Sequence, residues 1–126
     1  MRKKYLQQNV YEALQDRLKL IFEEFDNIYV SFSGGKDSGL LLNLVMDYRN
    51  RYYPEKTLGV FHQDFEAQYT VTSEYIERTF ERLKGQAELY WVCLPMATRT
   101  ALSSDEMYWY QTGELGTRNA QERVRY

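Results

Sequence analysis

Apolar side chains recur every three or four residues along the first part of the chain, which is the spacing of one face of a helix. This spacing predicts an amphipathic helix over residues 6–25, ended by Asp26. The apolar run at 28–33 then predicts a short buried strand. The leucine-rich stretch at 38–52 predicts a second helix that stops before Pro54.

The alternation continues through the middle of the chain. Residues 57–62 are typical of a second strand, and 69–83 have the spacing of a third helix, with Gly85 as its C-cap. Residues 88–94 predict a third strand, which Pro95 ends. Strands that alternate with amphipathic helices indicate an α/β fold with parallel pairing and right-handed crossovers.

The pattern weakens toward the C-terminus. Residues 103–106 resemble a capping box and predict a short helix through 107–110. Beyond this point apolar positions are sparse, so we expect 111–126 to be a poorly ordered tail, or a weak helix from about Asn119 onward. The sequence thus predicts one domain, 1–110, followed by this tail.

Composition excludes several classes of protein. The net charge of −2 argues against a broadly basic nucleic-acid surface, and the arginines between Arg118 and Arg125 are a weak signal of one. The single cysteine, Cys93, excludes an internal disulfide and is interpreted as a small buried hydrophobe. Because no apolar run approaches 20 residues and no signal peptide is recognisable, we expect no membrane span and a cytoplasmic location.

The segment between the first strand and the second helix has the strongest chemical signature. It reads Ser33, Gly34, Gly35, Lys36, Asp37 and Ser38. Glycines allow a sharp turn and close approach to a phosphate, and a helix N-terminus attracts anions. Lys36 adds a positive charge, the serines add hydroxyl donors, and Asp37 can hold a magnesium ion that travels with polyphosphate. The spacing is not that of a Walker loop. A simple tight turn is the alternative interpretation.

The pattern S-G-G-K-D-S resembles the PP-loop of the N-type ATP pyrophosphatase superfamily. Within it, the chain looks most like the branch of phosphoadenosine-phosphosulfate (PAPS) reductase-like proteins and ATP sulfurylase small subunits. The resemblance implies the Rossmann-like fold called adenine nucleotide α-hydrolase-like, a five-stranded parallel sheet with strand order 3-2-1-4-5. This chain supplies three strands, in order 3-2-1, so the resemblance implies a truncated member.

Two further segments should meet the loop at the carboxyl ends of the strands. Residues 62–69 resemble the H-x-D-x-x-x-x-[FY] segment of this branch, although the usual Asp-Thr-Gly is replaced here by Asp64, Phe65 and Glu66. His62 is expected to contact the nucleotide or carry a proton, or simply to end its strand and hydrogen-bond to its own backbone. Asp64 is expected to face magnesium or a ribose hydroxyl. Arg99 is expected to clamp a phosphate or sulfate, or to lie in a capped loop.

The implied chemistry is attack on the α-phosphate of ATP, with an adenylylated intermediate and pyrophosphate as the leaving group. Lys36, Asp37 and Asp64 are the implied catalytic residues, with Asp37 and Asp64 as magnesium ligands. The implied nucleotide-binding residues are 33–38, His62 and Arg99. The implied cofactors are ATP and Mg²⁺. Two alternatives stay open: a non-catalytic nucleotide-binding or interaction module, and a nucleic-acid-associated regulator.

The partial sheet also predicts how the chain associates. In the 3-2-1-4-5 order the far side of strand 28–33 would pair with a fourth strand, which this chain lacks. An exposed edge of this kind favours self-association or a partner subunit. The alternative is that residues 98–126 fold back over it, with Met107, Trp109 and Tyr110 as the covering side chains.

Overall fold

The computed structural model describes residues 7–64 and 68–93, together with the backbone of three strand segments, 96–99, 106–109 and 124–125. Its first six elements follow the predicted order of alternating helices and strands. They are α1 (Val10–Glu24), β1 (Ile28–Ser31), α2 (Lys36–Tyr52), β2 (Leu58–Gln63), α3 (Thr70–Leu83) and β3 (Glu88–Val92). Three short strands follow, β4 (Met96–Arg99), β5 (Glu106–Trp109) and β6 (Val124–Arg125).

The main sheet has the order β1-β2-β3-β6. The first three strands are parallel, with Val30 opposite Val60 and Val60 opposite Leu89. Strand β6 adds antiparallel to β3. The chain is therefore an α/β protein with a small three-stranded parallel sheet flanked by helices, as the alternating pattern predicts. This arrangement is compatible with a Rossmann-like fold.

The C-terminal part differs from the sequence predictions. The predicted helix through 107–110 is wrong, because 106–109 form β5, which pairs antiparallel with β4. Tyrosine and tryptophan favour extended backbone, and pairing with β4 satisfies the backbone that a lone helical turn would leave open. The alternative of a weak helix from Asn119 is also wrong at 124–125, where the chain is β6. Residues 111–123 lie outside the described residues.

Two helix ends are fixed by local sequence. The side chain of Asn9 accepts a hydrogen bond from the backbone N–H of Glu12, and the Glu12 carboxylate accepts one from the N–H of Asn9, at 2.9 and 3.1 Å. This reciprocal cap begins α1. At the end of α3 the C-cap is Lys84 rather than the predicted Gly85, which follows it with a left-handed φ of 73°.

One face of the sheet carries the core. Side chains of Val30, Val60 and Trp91 pack with buried residues of all three helices, among them Phe22 of α1 and Phe80 of α3. The intervening positions of the strands point away from this core. Tyr29 and Tyr90, for example, are 71% and 41% exposed.

Two basic side chains hold the end of the sheet opposite the loop at 33–38. The Lys56 ammonium donates to the carbonyl oxygens of Phe22 and Phe25 at the end of α1, where a cation also complements the helix dipole. The Arg49 guanidinium donates to the carbonyl oxygens of Lys56 and Gln86, at 2.8 and 2.9 Å. These carbonyls belong to the turns that precede β2 and β3. Among the described residues, no helix is long and apolar enough to cross a membrane.

Candidate functional site

The helix that follows the glycine-rich loop begins earlier than the sequence predicts. Helix α2 begins at Lys36 rather than at residue 38, with Gly35 as its N-cap in extended conformation, φ −77° and ψ 163°. Lys36, Asp37 and Ser38 therefore form the first helical turn, and residues 32–35 connect β1 to it. The N–H groups of a first turn have no acceptor inside their own helix, and no side chain caps this one.

The two adjacent glycines do different work. Gly34 has a φ of 79°, in the left-handed region that disfavours other residues. A Cβ added to Gly34 would lie 2.7 Å from Cδ1 of Ile76 and 3.0 Å from Cγ2 of Thr72, both on α3. A Cβ on Gly35 would meet only the hydroxyls of Ser33 and Ser38, at 3.4 and 4.0 Å. The sharp turn and the fit against α3 thus belong to Gly34, whereas Gly35 leaves room beside the serines.

A pair of hydroxyl groups closes the loop. The Oγ atoms of Ser33 and Ser38 are 3.0 Å apart, and Ser38 Oγ also donates to the carbonyl oxygen of Gly35 at 3.1 Å. The N–H groups of Ser33 and Gly35 point to these hydroxyls, at 3.3 and 3.4 Å. Because hydroxyls both donate and accept, the pair can turn toward an arriving anion without changing the backbone.

The charged side chains of the first turn reach into solvent. Those of Lys36 and Asp37 are 91% and 94% exposed, and Lys36 Nζ lies 3.9 Å from Asp37 Oδ1. Exposed ion pairs of this kind contribute little to stability. Both groups can therefore reorient around a ligand at the start of α2.

His62 lies beneath the loop rather than on its surface. It is 1% exposed, and its Nδ1 is 2.8 Å from the carbonyl oxygen of Phe32, the residue before Ser33. Its Nε2 is 3.4 Å from Nε2 of Gln68. The alternative expectation, that His62 ends its strand and bonds to its own backbone, differs from this arrangement, because β2 continues to Gln63 and the bond goes to Phe32 just after β1.

Asp64 is also buried, at 4% exposure, just after β2. Its N–H donates to the carbonyl oxygen of Val92, and its Oδ2 accepts from the indole Nε1 of Trp91 at 2.8 Å. The Cys93 thiol lies 3.9 Å from the same oxygen, inside the buried region expected for this cysteine. Asp64 is thus held at the carboxyl edge of the sheet by β3.

Arg99, the last of the predicted site residues, is described only by its backbone. Arg99 ends β4, in register with Glu106 of β5, and its side chain is outside the described residues, as are 65–67. Within the described part of the chain, no group of three or more His, Cys, Asp or Glu side chains could hold a metal ion. Asp37 and Asp64 therefore do not join a larger acidic cluster there.

Helix α3 contributes residues that the sequence did not suggest as part of this site. Ile76 and Thr72 support Gly34, and the Tyr75 hydroxyl would be 2.9 Å from a Cβ on Gly39 in the first turns of α2. In the sequence, Thr72 and Ile76 indicate only the apolar face of the third helix, and Tyr75 lies outside that spacing. The sequence signal for these contacts is the pair Gly34 and Gly39. Glycine at both positions indicates that another element, here α3, packs closely against the start of α2.

Comparison with known proteins gives one relative whose own role is not described. The chain is 35% identical over 102 residues to the uncharacterized protein YbdN of Escherichia coli strain K12. The match covers 80% of this chain and 25% of that protein, so the chain spans about a quarter of the curated relative. No family model matches the chain, and no solved structure matches it.

Proposed function

We propose that this chain binds the polyphosphate of an adenine nucleotide, ATP, at residues 33–38. The observation that carries the proposal is the junction of β1 and α2. There a left-handed Gly34 brings Ser33 and the uncapped first turn of α2 to one exposed place. Backbone N–H groups at a helix N-terminus, two hydroxyls and a mobile ammonium form a site that suits phosphate oxygens.

Each residue has a distinct part in this site. The N–H groups of Gly35 and the first turn of α2 would face the phosphates, and the Ser33 and Ser38 hydroxyls would exchange their mutual contact for phosphate oxygens. The Lys36 ammonium would neutralise the charge of the leaving pyrophosphate. Groups that are already in place when charge develops contribute to catalysis by positioning and electrostatic stabilisation.

The fold we propose is that of the PP-loop superfamily, in its PAPS reductase-like and ATP sulfurylase-like branch. Support comes from the S-G-G-K-D-S residues at a strand–loop–helix junction and from the β1-β2-β3 neighbour order. That order equals the 3-2-1 half of the expected sheet. The implied reaction is adenylyl transfer from ATP to an acceptor oxygen, with release of pyrophosphate.

Magnesium fits one of the two predicted carboxylates better than the other. Mg²⁺ in nucleotide sites keeps most of its ligands as water and phosphate and takes one or two from protein carboxylates. The exposed Asp37 meets that requirement, and the metal would there supply neutralisation of the polyphosphate. Asp64 is buried and accepts a hydrogen bond from Trp91, so its geometry favours holding the end of β2.

A non-catalytic nucleotide-binding module is the second candidate. The observation that favours it is that the chain spans only about a quarter of the length of its relative. An acceptor site built by the remaining length would then be needed for turnover. We therefore expect weak or no pyrophosphate release from this chain alone, although the nucleotide should still bind.

Calorimetry with purified chain tests the proposal. Mg-ATP should bind to the wild type, and binding should be abolished in Gly35→Val, whose side chain fills the space beside Ser33. Equal binding by the two proteins would reject the site. Pyrophosphate release that is lost in Lys36→Ala would select the enzyme over the module. Binding to single- or double-stranded nucleic acid that falls steeply with salt would instead favour a nucleic-acid regulator.

A further inference from the structure

Both backbone polar groups of Phe32, its N–H and its C=O, are hydrogen-bonded to consecutive residues of β2. Its N–H donates to the carbonyl oxygen of Phe61 at 2.7 Å, and its carbonyl oxygen lies 2.8 Å from Nδ1 of His62. Phe32 is the last residue before the loop, and its own side chain is buried. The direction in which the chain enters the loop is thus fixed by one backbone bond and one imidazole.

The contact with Phe32 places a proton on one nitrogen of the His62 ring. A carbonyl oxygen can only accept, so Nδ1 carries the proton in the contact with Phe32. The other ring nitrogen, Nε2, lies 3.4 Å from the side-chain amide nitrogen of Gln68. His62 therefore links the start of the loop to Gln68, which lies in the segment between β2 and α3.

Packing fixes the position of this ring. The imidazole lies edge-on to Trp91, with centroids 4.9 Å apart, and edge-on to Phe80, with centroids 6.4 Å apart. With 1% of its surface exposed, His62 in this conformation reaches the loop through Phe32 and not through solvent. Because the ring is held in this way, the position of β2 fixes the position of Phe32 at the end of β1.

We propose that His62 is a positioning residue for the anion loop. Its Nδ1–H bond to Phe32 positions the Ser33 hydroxyl and the N–H groups that follow it. Its Nε2 contact with Gln68 links the loop to the segment after β2. The role rests on the proposed function for its ligand, since the loop is taken to bind the phosphates of ATP. It differs from direct contact with the nucleotide or proton transfer.

Two amide variants separate this role from simple packing. The amide nitrogen of His62→Asn can occupy the place of Nδ1 and keep the donor to Phe32, whereas that of His62→Gln reaches toward the place of Nε2. We expect the Kd for Mg-ATP to stay within about threefold of wild type in His62→Asn and to rise about tenfold in His62→Gln. Hydrogen exchange of the Phe32 and Ser33 amides, which donate to Phe61 and Ser38, should quicken in His62→Gln alone, with the amides of Val60 and Leu89 as the internal reference.

The outcomes distinguish this proposal from the proposed function. If wild type binds no ATP, the nucleotide function fails, and exchange of the Phe32 and Ser33 amides still decides the role of His62. If wild type binds ATP and the two variants match in both affinity and loop exchange, the positioning role is overturned while the nucleotide site stands. Should circular dichroism show that His62→Gln does not fold, the Asn variant decides alone. A tenfold loss of affinity in that folded variant would contradict the proposal, and retained affinity supports it.

Discussion

Gly34 of the loop and Ile76 of α3 are in such close contact that a Cβ on the glycine would lie 2.7 Å from the isoleucine Cδ1. The glycine also has a left-handed backbone. Its neighbour Gly35 has neither constraint, with a φ of −77° and only serine hydroxyls near its open side. The two glycines therefore offer a matched pair for separating folding from ligand binding.

We expect Gly34→Ala to lower the free energy of unfolding by about 2–4 kcal/mol, since a left-handed alanine is strained and Ile76 must move. Gly35→Ala should cost less than about 1 kcal/mol, the usual effect of a poorer N-cap. Urea unfolding followed by circular dichroism measures both. Equal losses of stability would show that the loop does not rest on α3 as described.

The metal role of Asp37 predicts a difference between metal-bound and metal-free nucleotide. Asp37→Asn should weaken binding of Mg-ATP roughly tenfold and leave binding of ATP in EDTA nearly unchanged, because only the metal complex needs the carboxylate. Asp47→Asn, farther along the same helix, is the control and should bind both forms as wild type does. An identical loss with and without metal would reject magnesium as the partner of Asp37.

Lys56 predicts a stability effect far from the loop. Its ammonium donates to two carbonyl oxygens at the end of α1, and its side chain is only 21% exposed. Lys56→Met should lower the free energy of unfolding by about 1–3 kcal/mol, since partly buried carbonyls lose a charged donor. Lys19→Met is the comparison, because Lys19 forms only an exposed pair with Glu23 and should change stability by less than about 0.5 kcal/mol.

Burial raises the pKa of Tyr48 above its ordinary value of 10.0, with nearby Tyr53 as a smaller cause. Because the folded-state pKa is the higher one, the unfolded chain loses this proton first as pH rises. The associated stability is fully present below pH 10 and is lost as pH rises through the folded pKa. Urea unfolding between pH 8 and about 11 should show a smaller decline for Tyr48→Phe than for wild type. Tyr11→Phe, at an exposed position, should follow the wild-type curve.

Strand β1 predicts self-association. Among the described strands its only neighbour is β2. Of the three side chains expected in the alternative to cover this edge, Met107 and Trp109 lie on β5, which pairs with β4, and Tyr110 lies outside the described residues. Sedimentation velocity should show concentration-dependent species that Tyr29→Lys reduces, because a lysine at an edge opposes strand pairing. Tyr52→Lys, on α2, is the control. A compact monomer whose amides at 28–31 resist exchange would contradict the prediction.

The alternating helices and strands could be predicted because each long element has its own hydrophobic period. Leu18 and Phe22 lie one turn apart in α1 and are both buried. Val30 and Phe32, alternate positions around the end of β1, are both buried as well. The loop could be located for a related reason, since glycine, serine and lysine between a strand and a helix indicate an anion-binding turn whatever the rest of the fold is.

The parts that were missed depend on pairing between distant segments. Strand β5 exists because 106–109 meet β4, and a stretch of four residues has no period that distinguishes a helix from a strand. The bond from His62 to Phe32 depends on the register of β1 against β2, and the bond from Trp91 to Asp64 on that of β2 against β3. Sequence placed these residues near the carboxyl edge of the sheet, and only their neighbours define what they do there.

The guanidinium of Arg49 restricts the lengths of two turns of the chain. It spans the turn before β2 and the turn before β3, so the spacing of these two turns is set by the size of one planar group. An inserted residue in either turn would break a hydrogen bond that the other turn needs in place. Insertions and deletions among relatives should therefore be rare at this end of the sheet and concentrate at the opposite end, in the connections after β2 and β3.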